Sequence, residues 1–159
     1  MRRGHVVLPA ALVAGTLSGA PSTLHAVATG RPVLRAAAAA GELLGRPGAG
    51  RGVFVHAAMT LAWTSVLVVV LPQRRTMTCG ALAGLAIAGL DLTIAERRFP
   101  TIAALPRMPQ VADHVLFGAL VGVAVGRRGS CRPVCRAEAL VSAVRTARDR
   151  GGRGTPRSP

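Results

Sequence analysis

Lysine and tyrosine are absent from this chain, and acids are scarce: six Asp and Glu stand against twenty arginines, giving a formal charge of +14. Aromatic residues make up only 3%. A soluble core normally relies on Phe, Tyr and Trp, whose large buried areas dominate core energetics, so their shortage argues against one. Charged residues amount to 16%, below the roughly 25% of a typical soluble domain. Cysteine is sparse too. Cys79, Cys131 and Cys135 are odd in number and lack the spacing of a disulfide framework. Cys131 and Cys135 lie in a basic stretch with no histidine near them, which leaves a metal site short of ligands.

The chain also lacks a nucleophile elbow, a Walker loop, a glycine fingerprint inside a βαβ unit, an HExxH sequence and a CxxC pair. The glycines at 45, 48 and 50 sit in an Arg/Pro loop with no strand before them. No enzyme activity, cofactor or metal is therefore expected. Nucleic acid is not expected either. The positive charge is large, but it lies between apolar runs and at the C-terminus instead of along a helix face interleaved with aromatics.

What remains is apolar: half of the 159 residues are hydrophobic, and Ala, Gly, Val and Leu do the filling. Small residues suit helices in lipid, where they let backbones approach closely. Four runs approach the about 20 residues that a bilayer span requires, at about 6–28, 53–71, 77–95 and 111–126. The expected fold is all-α, with four transmembrane helices in an antiparallel bundle over residues 1–126 and a basic tail over 127–159. The first run reaches its length only by passing through Pro21; a basic start and Ala26-Val27-Ala28 also fit a cleaved signal peptide, and that alternative stays open. Val33–Leu44 is helical by propensity but too short to span, and reads as an interfacial helix. Prolines at 100, 106 and 109 predict an extended or turned link between the third and fourth spans. Arg136–Arg150 predicts a moderately amphipathic helix, and Gly151–Pro159 a disordered end.

The arginines orient the spans. Thirteen fall on the side holding the N-terminus, the 73–76 turn and the tail, and seven on the other. The positive-inside rule then puts both termini in the cytoplasm of a bacterial plasma membrane.

With this topology His25, His56, Asp91, Asp113 and His114 come from four helices to one depth near the outer face. Ionisable groups inside a membrane are functional candidates by default. Such a set could relay protons, since histidine titrates near neutral pH, or hold a divalent metal, although no His pair shares one helix face. The bland alternatives are a helix-capping role for Asp113 and pairing of Asp91 with Arg97 or Arg98. Gly15 and Gly19, Gly80 and Gly84, and Gly118, Gly122 and Gly126 recur at four-residue spacing. They predict close packing among the first, third and fourth spans, with the second, Val/Leu-rich span facing lipid.

The stretches GTLSGAPSTLHAVATGR (15–31) and AGLDLTIAERRFPTIAALPRMPQVADHVLFGALVG (88–122), with a helix opening on His56, resemble small four-helix multi-pass membrane proteins of high-GC bacteria. The resemblance spans about residues 5–126; it implies the membrane architecture and supplies no activity. A structural or interaction role in the lipid bilayer is the first expectation. Its rivals are a proton-coupled carrier using the Asp/His set, and a scaffold whose tail binds anionic lipid head groups or a protein partner.

Overall fold

The computed structural model describes residues 4–72 and 74–127, and among these there are helices and no strands. The basic tail expected at 127–159, with its helix at 136–150, lies outside the described residues apart from Arg127. In order the elements are α1 (Gly4–Leu17), α2 (Ala20–Ala28), α3 (Arg35–Ala40) running into a 3-10 turn (Gly41–Leu44), α4 (Ala49–Val70), α5 (Thr76–Arg98), α6 (Pro100–Ala103) and α7 (Arg107–Arg127). Four stretches are long and apolar enough to cross a membrane: His5–Ala28, Ala49–Val70, Thr76–Arg98 and Arg107–Arg127.

Proline sets most of the boundaries. The ring of Pro21 has no N–H to donate and collides with the carbonyl four residues back, that of Leu17. α1 ends at Leu17, and α2 begins after the turn at Ser18 and Gly19 with Pro21 in its first turn. The first stretch, His5–Ala28, thus covers the span expected over 6–28 but is divided at Ser18 and Gly19 into two helices. Residues before proline avoid the helical region: Leu71, before Pro72, is extended at φ −64°, ψ 132°, and Phe99, before Pro100, at φ −129°, ψ 99°. These residues terminate α4 and α5.

The link after α5, expected to be extended or turned, turns at Ala104 and Leu105 and also holds a short helix. Pro100 occupies the first position of α6, where its fixed φ helps and its missing N–H is not needed. Pro109 is likewise accommodated in the first turn of α7. The Val33–Leu44 stretch is helical as expected, but tightens at Gly41 into the 3-10 turn, which stops at Gly45 with φ +96°. That left-handed conformation is the one glycine adopts without penalty.

The core is built from small and aliphatic residues. Ala10 and Ala14 of α1, Leu67 and Val68 of α4, Ile87 of α5, and Phe117 and Val121 of α7 form one buried cluster. A second, smaller cluster gathers Ala39 of α3 with Ile102 and Leu105. It is tied by Glu42, whose carboxylate accepts from the Thr101 N–H at 3.1 Å and from the Thr101 hydroxyl. The guanidinium of Arg107 pairs with Glu96 across the same link, while Asp91, expected to pair with Arg97 or Arg98, meets Trp63 and His114. The outer faces are apolar as well. Leu12, Leu24, Phe54, Val69, Leu82 and Ile94 are all more than half exposed. Only 22–28% of the most apolar window of each long helix is buried inside the protein, so the remainder needs an apolar surrounding. Four such helices are compatible with an integral membrane protein.

Glycine governs the tightest contacts. A Cβ on Gly80 would fall 2.2 Å from the Gly118 carbonyl oxygen, one on Gly84 2.1 Å from that of His114, and one on Gly122 2.2 Å from that of Thr76. As the residue number rises along α5 its partner number falls along α7, so these two helices run in opposite directions with their backbones touching. Gly126 faces the Thr76 hydroxyl, where a Cβ would come within 2.3 Å. In the first span the two glycines part company. Gly15 abuts the Thr60 side chain of α4, while Gly19 has open space around it. The second span is therefore not left to lipid alone. α4 meets α1 at Thr60, and its Gly52 lies so close to α3 that a Cβ would sit 1.5 Å from the Ala37 carbonyl oxygen.

Candidate functional site

The break between α1 and α2 leaves polar backbone groups within an apolar stretch of the chain. The last carbonyls of α1 and the first N–H groups of α2 have no partners within their own helices. An unpaired backbone group without water is costly. Two of the predicted polar residues meet this need. His56 of α4 places Nε2 2.9 Å from the Gly15 carbonyl oxygen. A carbonyl only accepts, so Nε2 carries the proton and donates. Asp113 of α7 accepts the Ser22 N–H at 3.0 Å and also the Ser22 hydroxyl. Asp113 thus caps a helix, but it is α2 and not its own helix α7 that receives the cap.

Asp91 and His114 form a different unit. The Asp91 Oδ2 accepts from the indole Nε1 of Trp63 at 3.2 Å. Trp63 stands in mid-span, away from the interfacial belts where tryptophan collects, and this bond is its polar partner. His114 Nδ1 is 2.8 Å from the Gln110 carbonyl oxygen and so donates to it. Its other nitrogen, Nε2, lies 3.7 Å from Asp91 Oδ2. That separation lies within ion-pair range and beyond a direct hydrogen bond.

These residues share one cavity. It measures about 350 Å³, inside the range of small-ligand sites. His56, Asp91, Asp113 and His114 line it, together with Ser18, Thr60 and Gln110. The rest of its wall is apolar and includes Met59, Ile87, Leu92, Phe99 and Phe117. Ala36, Ala40 and Leu43 from α3 and the 3-10 turn border it, as do Ile102 and Leu105 from the α6 region. The Glu42–Thr101 contact joins those two bordering segments.

His25 is not in this group. It borders a separate recess of about 30 Å³ beside Arg31 and Gln110. The tertiary structure therefore brings four of the five predicted polar residues to one space and sends the fifth elsewhere. Among the described residues no group of three His, Cys, Asp or Glu has the arrangement of a metal site.

Sequence reasoning missed Ser22, Thr60, Gln110 and the role of Trp63. Ser22 is signalled by its place just after Pro21, where an N–H loses its usual acceptor. Trp63 is signalled by being a lone tryptophan at a depth where an indole N–H needs a protein partner.

Comparison with protein-family models, with curated proteins and with solved structures gave no match.

Proposed function

We propose that this chain is a small carrier of the bacterial plasma membrane, with its helices in an antiparallel bundle around a solute chamber and both termini in the cytoplasm. The observation that supports this reading is the convergence of His56, Asp91, Asp113 and His114 on one cavity of about 350 Å³. Polar groups are expensive inside a membrane. A purely structural bundle would bury each against a fixed partner and fill the space between them. Here His56 and Asp113 have such partners, the two ends of the broken first span. Asp91 and His114 retain capacity toward the cavity. In transporters, interrupted helices commonly mark the binding site, because their ends offer backbone groups at depth. The break at Ser18–Gly19 borders this cavity.

The proposed activity is transfer without covalent chemistry, coupled to a proton held at the Asp91–His114 pair. The test is reconstitution in liposomes that hold a pH gradient. Amines, alcohols and carboxylates of up to about a dozen heavy atoms are added in turn. At least one class should dissipate the gradient faster than in protein-free vesicles. Asp91→Asn should abolish the difference while Ser22→Ala retains it. No response from folded protein to any class would overturn the carrier reading.

A further inference from the structure

Three of the four aromatic residues in the chain, Trp63, Phe99 and Phe117, line the cavity of about 350 Å³. In a protein with so few aromatics this placement matters. Aromatic faces beside carboxylates attract cations with an apolar body, through the ring quadrupole and through charge pairing. The polar wall has the same preference. Asp91 and Asp113 are the acids on it, and among the described residues no lysine or arginine lines it.

The hydrogen-bond valences sharpen this. His114 spends its Nδ1 proton on the Gln110 carbonyl. A neutral imidazole would then turn the lone pair of Nε2 toward the Asp91 carboxylate, 3.7 Å away. Two acceptors this close repel unless a donor or a positive charge lies with them, and a proton or a cation serves best beside a carboxylate. Asp91 cannot turn away without abandoning the Trp63 N–H. Among the described residues, no lysine or arginine lines the cavity beside this pair. His56 on α4 is committed through Nε2 to Gly15, Asp113 on α7 is committed to Ser22, and the wall from α3 and the 3-10 turn is Ala36, Ala40 and Leu43.

From this juxtaposition we infer that the chamber takes a compact organic cation with an aromatic or branched apolar body. The cation binds against Asp91 in exchange for the one proton that His114 Nε2 carries opposite that carboxylate. The step balances without any covalent change. The cation enters, one proton leaves His114 Nε2 for water, and the chamber keeps its charge. The inference rests on the chamber being a solute site, and it adds the substrate class and the exchanged ion.

Trp63 is the sole tryptophan and there is no tyrosine, so its emission reports this cavity alone. The full chain in lipid nanodiscs is titrated with benzyltrimethylammonium, whose charge is fixed at every pH. Neopentylbenzene, the same shape without charge, and phenylacetate, an anion, serve as comparisons. The cation should shift Trp63 emission saturably and release about one proton per molecule bound, read with a pH dye in weak buffer. Asp91→Asn should weaken its apparent affinity about tenfold or more, as expected for removing a charged partner. The asparagine oxygen still accepts from the Trp63 N–H, which keeps the fold. Ala40→Leu, which fills the chamber from its α3 side, should also weaken binding and leaves both charges in place. If neopentylbenzene shifts the emission as well as the cation does and Asp91→Asn changes nothing, the cation preference is overturned while the chamber stands. The same holds if phenylacetate is the ligand that binds. Cation binding without proton release overturns the exchange. If none of the three reaches Trp63, the chamber reading fails with it.

Discussion

The Ser22 N–H donates to the Asp113 carboxylate at 3.0 Å, joining residues 91 positions apart. One acid thereby satisfies the start of α2, where Pro21 has interrupted the helix, and holds α7 against the first span. Asp113→Ala leaves that N–H and the Ser22 hydroxyl without their acceptor in an apolar interior. It should cost about 1–3 kcal/mol. Ser22→Ala keeps the backbone bond and should cost less. Unfolding of the purified protein in mixed micelles by a denaturing detergent, followed by helical circular dichroism, orders the two. A Ser22→Ala loss equal to that of Asp113→Ala would show that the backbone bond contributes little.

The α5–α7 contact predicts a sharp contrast between glycines of the same helix pair. A Cβ on Gly118 would stand 2.0 Å from the Gly80 carbonyl oxygen, whereas Gly89 has nothing within 4 Å. Backbone cannot yield as a flexible side chain can, so Gly118→Ala must push the helices apart. Overpacking of this kind typically costs about 1–3 kcal/mol. Gly89→Ala should be neutral or stabilising by up to about 1 kcal/mol, since alanine is the better helix former. The same unfolding measurement decides it, and equal effects at the two positions would contradict the contact.

Gly52 makes a further, separate prediction. Its Cα packs on the carbonyl of Ala37, where a Cβ would come within 1.5 Å. Gly52→Ala should displace α3 and the 3-10 turn from α4 while leaving the long helices in place. Limited trypsin digestion reads this directly at the Arg35–Ala36 bond, which opens the displaced segment. Cleavage there should rise severalfold over wild type. Gly50→Ala, with open space around it, is the control and should not change the pattern.

Much of the architecture is legible in the sequence because it follows from local physics. Apolar runs near span length favour four helical stretches, since a helix pairs most of its backbone groups internally where water is lacking. Pro72 and Pro100 fix helix ends through the residues before them, Leu71 and Phe99. The four-residue spacing of Gly118, Gly122 and Gly126 marks one stripe of α7. Sequence could not say that their partners are Gly80 and Thr76, nor that Gly19, equally well spaced from Gly15, meets nothing. Pro21 warned of the break in the first span, but a proline can bend a membrane helix or divide it. Division here accompanies the use of the freed groups by His56 and Asp113.

The polar residues were harder to place. His25 and His56 share a predicted depth, yet one faces a small recess and the other the main cavity. Depth follows from counting along a helix, while facing depends on the rotation of each helix about its axis. That rotation is set by packing between helices, here by glycine contacts between α5 and α7 and by the Gly15–Thr60 contact between α1 and α4. By itself, then, the sequence determined the number of spans, their approximate ends and the surfaces where backbones can touch, because each depends on hydrophobicity, proline and side-chain size along one chain. Only the tertiary structure decided that Asp91 takes the Trp63 indole and faces His114, and that Asp113 caps the broken first span. Those pairings are fixed by helix rotation and register across distances that no linear spacing records.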